Sequence, residues 1–237
     1  HHGGGAADSV LNNCTIFGNS CITSGGGAFA SALTSCILAN NSAKRSSEEE
    51  NCLLDHCWLG EPGFVNPTSG NLRQWADSPC INAGRNLSAP GGTDLDGNPR
   101  VVGGTVDIGA YEFQSPQSLI AYLWLQDYGL PINPATDSAD ADGDRLNNYQ
   151  EWRAGTDPTD ALSALRLLTP VQVGSNLVVR WESVEDKFYL LERSTNITSA
   201  ASFAPFVRNI PGEEDFTTYT DTNAATGQRY FYRVGVE

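Results

Sequence analysis

Residues 3–22 read GGGAADSVLNNCTIFGNSCI and residues 25–44 read GGGAFASALTSCILANNSAK. The two stretches are offset by 22 residues and agree at nine of twenty positions: three glycines, one alanine, two serines, one leucine, one cysteine and one asparagine. A degenerate third copy, LLDHCWLGEPG at 53–63, puts Cys57 in the place of Cys14 and Cys36. Short apolar runs between Gly, Asn and Ser turns at this period fit one rung of a parallel β-solenoid. Equivalent residues of successive rungs then stack about 4.8 Å apart. The repeat predicts inward ladders of Leu11, Leu33 and Leu54, of Cys14, Cys36 and Cys57, and of Ile16, Leu38 and Leu59. Asn19 over Asn41 makes an amide ladder at a turn. The competing reading is a coincidental Gly-rich repeat within a sandwich.

The thiols follow from the same pattern. Three of the six cysteines (Cys14, Cys21, Cys36, Cys52, Cys57, Cys80) hold the repeat position, where they behave as small buried hydrophobes. Neighbours in a parallel ladder do not readily reach disulfide geometry. A disulfide involving Cys21 or Cys52 stays open. Zinc is not expected, because the close pair Cys52 and Cys57 has no matching second pair. An inward Cys57 leaves His56 outward, so no Cys–His couple is expected. Glu48, Glu49 and Glu50 read as a solvated loop.

After the repeats come FVNPTSGNLRQWADSPCINAG (64–84) and TDLDGNPRVVGGTVDIGAYEF (93–113). Four short motifs stand in order: Gly70-Asn71-Leu72-Arg73, then Ser78-Pro79-Cys80-Ile81-Asn82-Ala83-Gly84, then Asp94-Leu95-Asp96-Gly97-Asn98-Pro99-Arg100, and Asp107-Ile108-Gly109-Ala110-Tyr111-Glu112. With the repeats, they resemble the end of a right-handed parallel β-helix carrying the choice-of-anchor type C-terminal region of bacterial surface proteins. The resemblance covers residues 1–113, about half the chain. It implies a truncated β-helix with a C-terminal cap over residues 1–116. An open solenoid end is an unpaired edge, and this segment is expected to cover it. Arg100 and Asp107 are candidates for a charge-assisted bond that fixes the cap. Asp94 and Asp96 read either as a cation site or as an Asx turn, and the turn is favoured.

Gln114 to Gln117 form a short linker. Ser118 is placed to cap a helix through LIAYLWLQDYGL, which Gly129-Leu130-Pro131 ends. Next is DSADADGDRLNNYQEW, residues 137–152. As a twelve-residue loop it offers Asp140, Asp142, Asp144, the Leu146 carbonyl, Asn148 and Glu151 to one cation. Calcium takes six to eight oxygens, and this spacing wraps them around one point. Arg145 stands where a glycine is usual, at a backbone strain of about 1 kcal/mol. The exiting helix is expected over Leu146–Arg153. The stretch resembles the calcium loops of dockerin-like and thrombospondin type 3-like repeats. Gly155-Thr156-Asp157-Pro158 continues that pattern, which makes Asp157 a further ligand candidate. A single loop, where dockerins pair two, implies a calcium-stiffened linker over 117–163 and argues against cohesin binding.

From residue 164 the period shortens to two. Six runs, from ALRLLTPVQVG through NLVVRWESV, KFYLLERSTN, FAPFVRNI and TTYTDT to RYFYRVGVE, predict an antiparallel β-sandwich over 164–237 with Trp181 in its core near Tyr189 and Tyr232. The module is loosely similar to fibronectin type III. A spacer or attachment role is favoured over a sugar-binding one.

Composition narrows the function. The 237 residues carry 14 basic against 28 acidic side chains, a formal charge of −14. That argues against nucleic acid as the main partner, because phosphate neutralisation needs a basic face, and against adsorption to an anionic membrane by charge alone. No apolar run is long enough to span a membrane. Methionine is absent, so the chain is expected to be a processed product or a fragment. No nucleophile motif, zinc helix or phosphate loop is present, and no catalytic residue is assigned. The favoured reading is a non-catalytic stalk or attachment region of a secreted or cell-surface β-helix protein, adhesive, structural or filament-forming. The second is the tail of a β-helix polysaccharide lyase or glycoside hydrolase whose site lies in missing rungs. Expected partners are a polysaccharide or cell-surface glycan and a second copy at the open solenoid end.

Overall fold

The computed structural model describes residues 2–89, 91–224 and 229–237, mainly β with three short helices. Each repeat folds into three strands: β1 (Ala6–Ala7), β2 (Val10–Asn12) and β3 (Thr15–Phe17), then β4 (Ala28–Phe29), β5 (Ala32–Thr34) and β6 (Ile37–Ala39), then β7 (Glu49–Glu50), β8 (Leu53–Asp55) and β9 (Trp58–Leu59). They pair in parallel as three sheets, β1-β4-β7, β2-β5-β8 and β3-β6-β9. The register moves by 22 residues from the first repeat to the second, as Leu11 to Leu33, and by 21 to the third, as Leu33 to Leu54. Ile16, Leu38 and Leu59 align in the same way.

The turns between these strands are tight. Asn13, Ser35 and His56 take φ of 49°, 52° and 50°, and Asp8, Ala30 and Asn51 take 49°, 47° and 58°. Two left-handed corners therefore recur in every repeat, and the Asn residues among them tolerate this conformation best. The triple glycine has a separate cause. A Cβ on Gly26 or Gly27 would lie 2.3 Å from the Ser47 carbonyl oxygen or 2.4 Å from that of Glu48.

Alternation along each strand sends Leu33, Leu38 and Cys36 inward, where they are buried with Ile16 and Ala28. The amide ladder forms: Asn19 Nδ2 donates to Asn41 Oδ1 at 3.1 Å, and Asn41 Nδ2 donates to the Ile16 carbonyl at 2.9 Å. All six cysteines are free thiols. Cys57 points inward, with its thiol 3.3 Å from the Leu33 carbonyl oxygen. His56 points outward and holds Asp55 at 2.6 Å. The acidic run is not a solvated loop. Glu49 and Glu50 form β7, the Glu48 carboxylate accepts from Asn41 Nδ2 at 2.6 Å, and that of Glu49 accepts from Cys52 N at 3.2 Å.

The segment after the repeats runs along the side of the stack instead of over its end. The hairpin β10 (Phe64–Asn66) and β11 (Asn71–Gln74) starts it. Phe64, Cys80 and Ile108 pack against Ile37 and Ala39, the outward residues of β6. Gly109 donates to the Ser35 carbonyl at 2.9 Å, with no room for a side chain against Ile37. On β8 and β9, Leu54 and Leu59 consequently stay 40% and 48% exposed.

Arg100 is buried but does not pair with the Asp107 carboxylate. Its guanidinium donates to the main-chain carbonyls of Asp107 at 3.3 Å and Gly109 at 2.5 Å. The Asp107 carboxylate accepts from Asn82 N and Phe113 N at 2.8 and 2.7 Å. The Glu112 carboxylate accepts from Val102 N and Asp107 N at 2.9 and 3.0 Å. Burial pushes Asp107 up to about 7 and Glu112 up to about 8. Asp94 forms the Asx turn, accepting from Asp96 N and Asn98 N at 2.9 Å each.

Two short helices follow, α1 (Tyr122–Asp127) and α2 (Pro134–Ser138). Ser118 does not cap α1, which starts four residues later without a side-chain cap. Its hydroxyl instead donates to Asp137 Oδ1 at 2.5 Å. No described helix is long and apolar enough to cross a membrane.

The chain divides into two units, His1–Ser138 and Ala139–Glu237. The second contains the acidic loop, helix α3 (Asn148–Ala154) and six strands: β12 (Val171–Val173), β13 (Asn176–Ser183), β14 (Phe188–Ser194), β15 (Ala204–Pro211), β16 (Asp215–Asp221) and β17 (Phe231–Val236). They form two antiparallel sheets, β12-β13-β16 and β15-β14-β17. Trp181 and Tyr189 meet in the core at 5.9 Å between ring centroids, and Tyr232 packs against them. The sheets are latched through fully buried Asp221, which accepts from Arg193 and from the Tyr232 hydroxyl at 2.6 Å each.

Candidate functional site

Asp140, Asp142 and Asp144 bring carboxylate oxygens within 4.8 Å of one another, close enough for a shared cation. The side chains themselves shape the loop. Asp140 accepts from Gly143 N and Arg145 N at 2.7 and 3.0 Å. Asp142 Oδ1 accepts from Asp144 N at 3.1 Å, and Asp144 Oδ1 accepts from Leu146 N at 2.7 Å. These are Asx turns in succession. They leave Oδ2 of Asp142 and of Asp144 buried without a hydrogen-bond partner. Arg145 takes φ 85°, so the strain expected at the usual glycine position is present.

The loop leads into α3, which begins at Asn148, two residues later than expected. Asn147 is the reason: its side chain accepts from Gln150 N while Gln150 Oε1 accepts from Asn147 N, each at 2.9 Å. This capping box fixes where the helix can start. Asn148 N donates back to the Ala139 carbonyl at 2.8 Å, closing the loop on itself.

Glu151 lies in the first turn of α3 and is fully buried, with Oε2 unpartnered. Burial, then the charges of Asp142, Asp144 and Asp140, push it up to about 7. A carboxylate in that position is stabilised by a proton or by a cation. The structure thus groups three of the predicted ligands, Asp140, Asp142 and Asp144; Glu151 is buried at the start of α3 within reach of their charge but outside that cluster, and Leu146 and Asn148 lie in the same loop and helix start. Asp157 behaves differently. Its Oδ1 is taken by Thr159, from N at 2.9 Å and from the hydroxyl at 2.7 Å. Sequence reasoning missed Thr156, which is buried and donates to Glu151 Oε1 at 3.5 Å. The helix-ending Gly155 that turns it back toward Glu151 is the signal that was available.

No protein-family model, no curated protein and no solved structure matches this chain.

Proposed function

We propose that the chain is a non-catalytic stalk or attachment region from a secreted or cell-surface protein, stiffened by calcium. The repeats are read as the last rungs of a right-handed parallel β-helix, followed by the choice-of-anchor type segment and a fibronectin type III-like sandwich. Parallel pairing at intervals of 22 and 21 residues supports the first part.

The observation that carries the calcium reading is Glu151, buried with an unpartnered oxygen beside three aspartates. Like charges about 4 Å apart repel by on the order of 4 kcal/mol per pair in a partly screened site. A divalent cation removes that repulsion and uses the orphaned oxygens of Asp142, Asp144 and Glu151. Oxygen-only donors suit a hard cation. Asp140, the Leu146 carbonyl and Asn148 complete the proposed ligand set, with Asp157 in reserve.

Calorimetric titration with CaCl2 tests the metal, with one site per chain expected and no heat of binding after Asp142→Ala with Asp144→Ala. Incubation with plant, fungal and bacterial cell walls tests the attachment role: retention without released sugar is expected. Sugar appearing in the supernatant would instead place catalysis in this chain.

A further inference from the structure

Beside the β10–β11 hairpin lies a cleft of about 270 Å³, lined by Arg73, Asp96, Asn98, Tyr111, Phe113 and Gln114 among others. Its residues come from three separated segments, which the side-on packing of residues 64–113 brings together. We propose that this cleft binds the ring of a neutral saccharide, with Arg73 and Asp96 gripping adjacent hydroxyls and Asn98 a third. The inference rests on the attachment reading and gives it a partner chemistry and a place.

The Arg73–Asp96 pair is held before any ligand arrives. Arg73 Nε donates to Asp96 Oδ2 at 2.6 Å and Nη2 donates to Oδ1. Its Nη1 is tied to Asn71 Oδ1 at 3.1 Å, and the guanidinium lies 4.9 Å over the Tyr111 ring. Two planar groups fixed edge to edge, one donating and one accepting, match a vicinal diol, which does both. Little side-chain entropy is then lost on binding. Among the described residues the Asn98 side chain makes no hydrogen bond, unlike its main chain, whose N–H donates to Asp94. Phe113, Val65 and Tyr111 supply the apolar wall that the C–H face of a sugar needs.

Charge selects among saccharides. Arg73 and Asp96 neutralise each other, and Glu112, which also lines the cleft, is held above its ordinary range by burial. An anionic uronate would bring its carboxylate against Asp96, in a chain that already carries a formal charge of −14. The size limits the ligand too: the cleft is at the lower end of small-molecule sites, room for one ring of a longer chain. Trp75 extends the surface for that chain. It is two residues beyond Arg73, directly after β11, and 53% exposed.

Affinity electrophoresis of the whole chain tests this, with hydroxyethyl cellulose, xylan, galactomannan and laminarin as neutral probes and polygalacturonate as the anionic one. Retardation by at least one neutral polymer and none by polygalacturonate is expected. Asn98→Ala and Asp96→Ala should each weaken it at least tenfold, and Trp75→Ala less, with melting temperatures within a few degrees of the parent. Because Asn98 and Trp75 hold no structural hydrogen bond through their side chains among the described residues, those variants keep the fold. Retardation by no neutral polymer would overturn the proposal, as would preference for polygalacturonate. Retardation unchanged in Asn98→Ala and Asp96→Ala would overturn the cleft while leaving an attachment role intact elsewhere on the chain.

Discussion

Leu33→Ala is the sharpest perturbation of the repeats. Leu33 is 1% exposed, paired to Leu11 on one side and Leu54 on the other. Strands above and below hold the backbone, so the space left by the side chain cannot collapse. A Leu→Ala change in such a site costs about 3–4 kcal/mol. Leu54 occupies the same ladder in the last repeat but is 40% exposed. Its truncation loses part of the transfer energy and opens no enclosed cavity, a cost of about 1 kcal/mol. For a unit of 138 residues, each kcal/mol lowers the melting temperature by about 3–4 °C. Calorimetry of the whole chain should therefore lower the transition of the first unit by about 10–15 °C for Leu33→Ala and about 3–4 °C for Leu54→Ala. Equal losses at the two positions would refute the stacked register and the exposed last repeat together.

Three further outcomes follow from the same structure. Asp221→Ala removes the acceptor shared by Arg193 and Tyr232 and should destabilise the sandwich by about 3 kcal/mol in urea titration, whereas a surface change at Glu185 should cost less than about 0.5 kcal/mol. The raised Asp107 and Glu112 make the folded first unit bind protons more tightly than its unfolded chain, so its stability falls as pH rises through about 7 to 8. Its melting temperature should be higher at pH 5.5 than at pH 8.5, and a rise in the opposite direction would contradict the buried carboxyls. The one-sided strands β7, β8 and β9 expose Leu54 and Leu59 at a sheet edge, so sedimentation at rising concentration should reveal self-association that Leu54→Lys abolishes; a 25.4 kDa monomer at every concentration would exclude it.

The ladders were legible because a 22-residue identity is local and repeated: Leu11, Leu33 and Leu54 align wherever the turns lie. The corners were not. Ala30 and Ser35 take left-handed backbone that no side-chain preference marks, and only the stacking of equivalent positions makes them worthwhile. Nor does the sequence reveal whether a following segment lies over the end of the stack or along its side. That choice depends on outward Ile37 and Ala39, which look like any strand residues until Phe64 and Ile108 pack on them. Arg100 illustrates a different limit. Its charge suggests a carboxylate partner, but after folding its guanidinium donates to the main-chain carbonyls of Asp107 and Gly109. The acidic loop was readable since its candidate ligands lie within twelve residues. The burial of Glu151, which separates a cation site from a solvated acidic turn, needed α3 and its capping box. The cleft beside the β10–β11 hairpin was not legible: Arg73 and Asp96 stand in separate motifs 23 residues apart, and only folding pairs them.

The most direct measurement is thermal unfolding of the whole chain and of Asp140→Ala in 1 mM CaCl2 and in EGTA. The calcium-stiffened account predicts a second-unit transition several degrees higher in calcium than in EGTA, a first-unit transition that does not move, and no difference in Asp140→Ala. Identical melting curves in calcium and EGTA would contradict it.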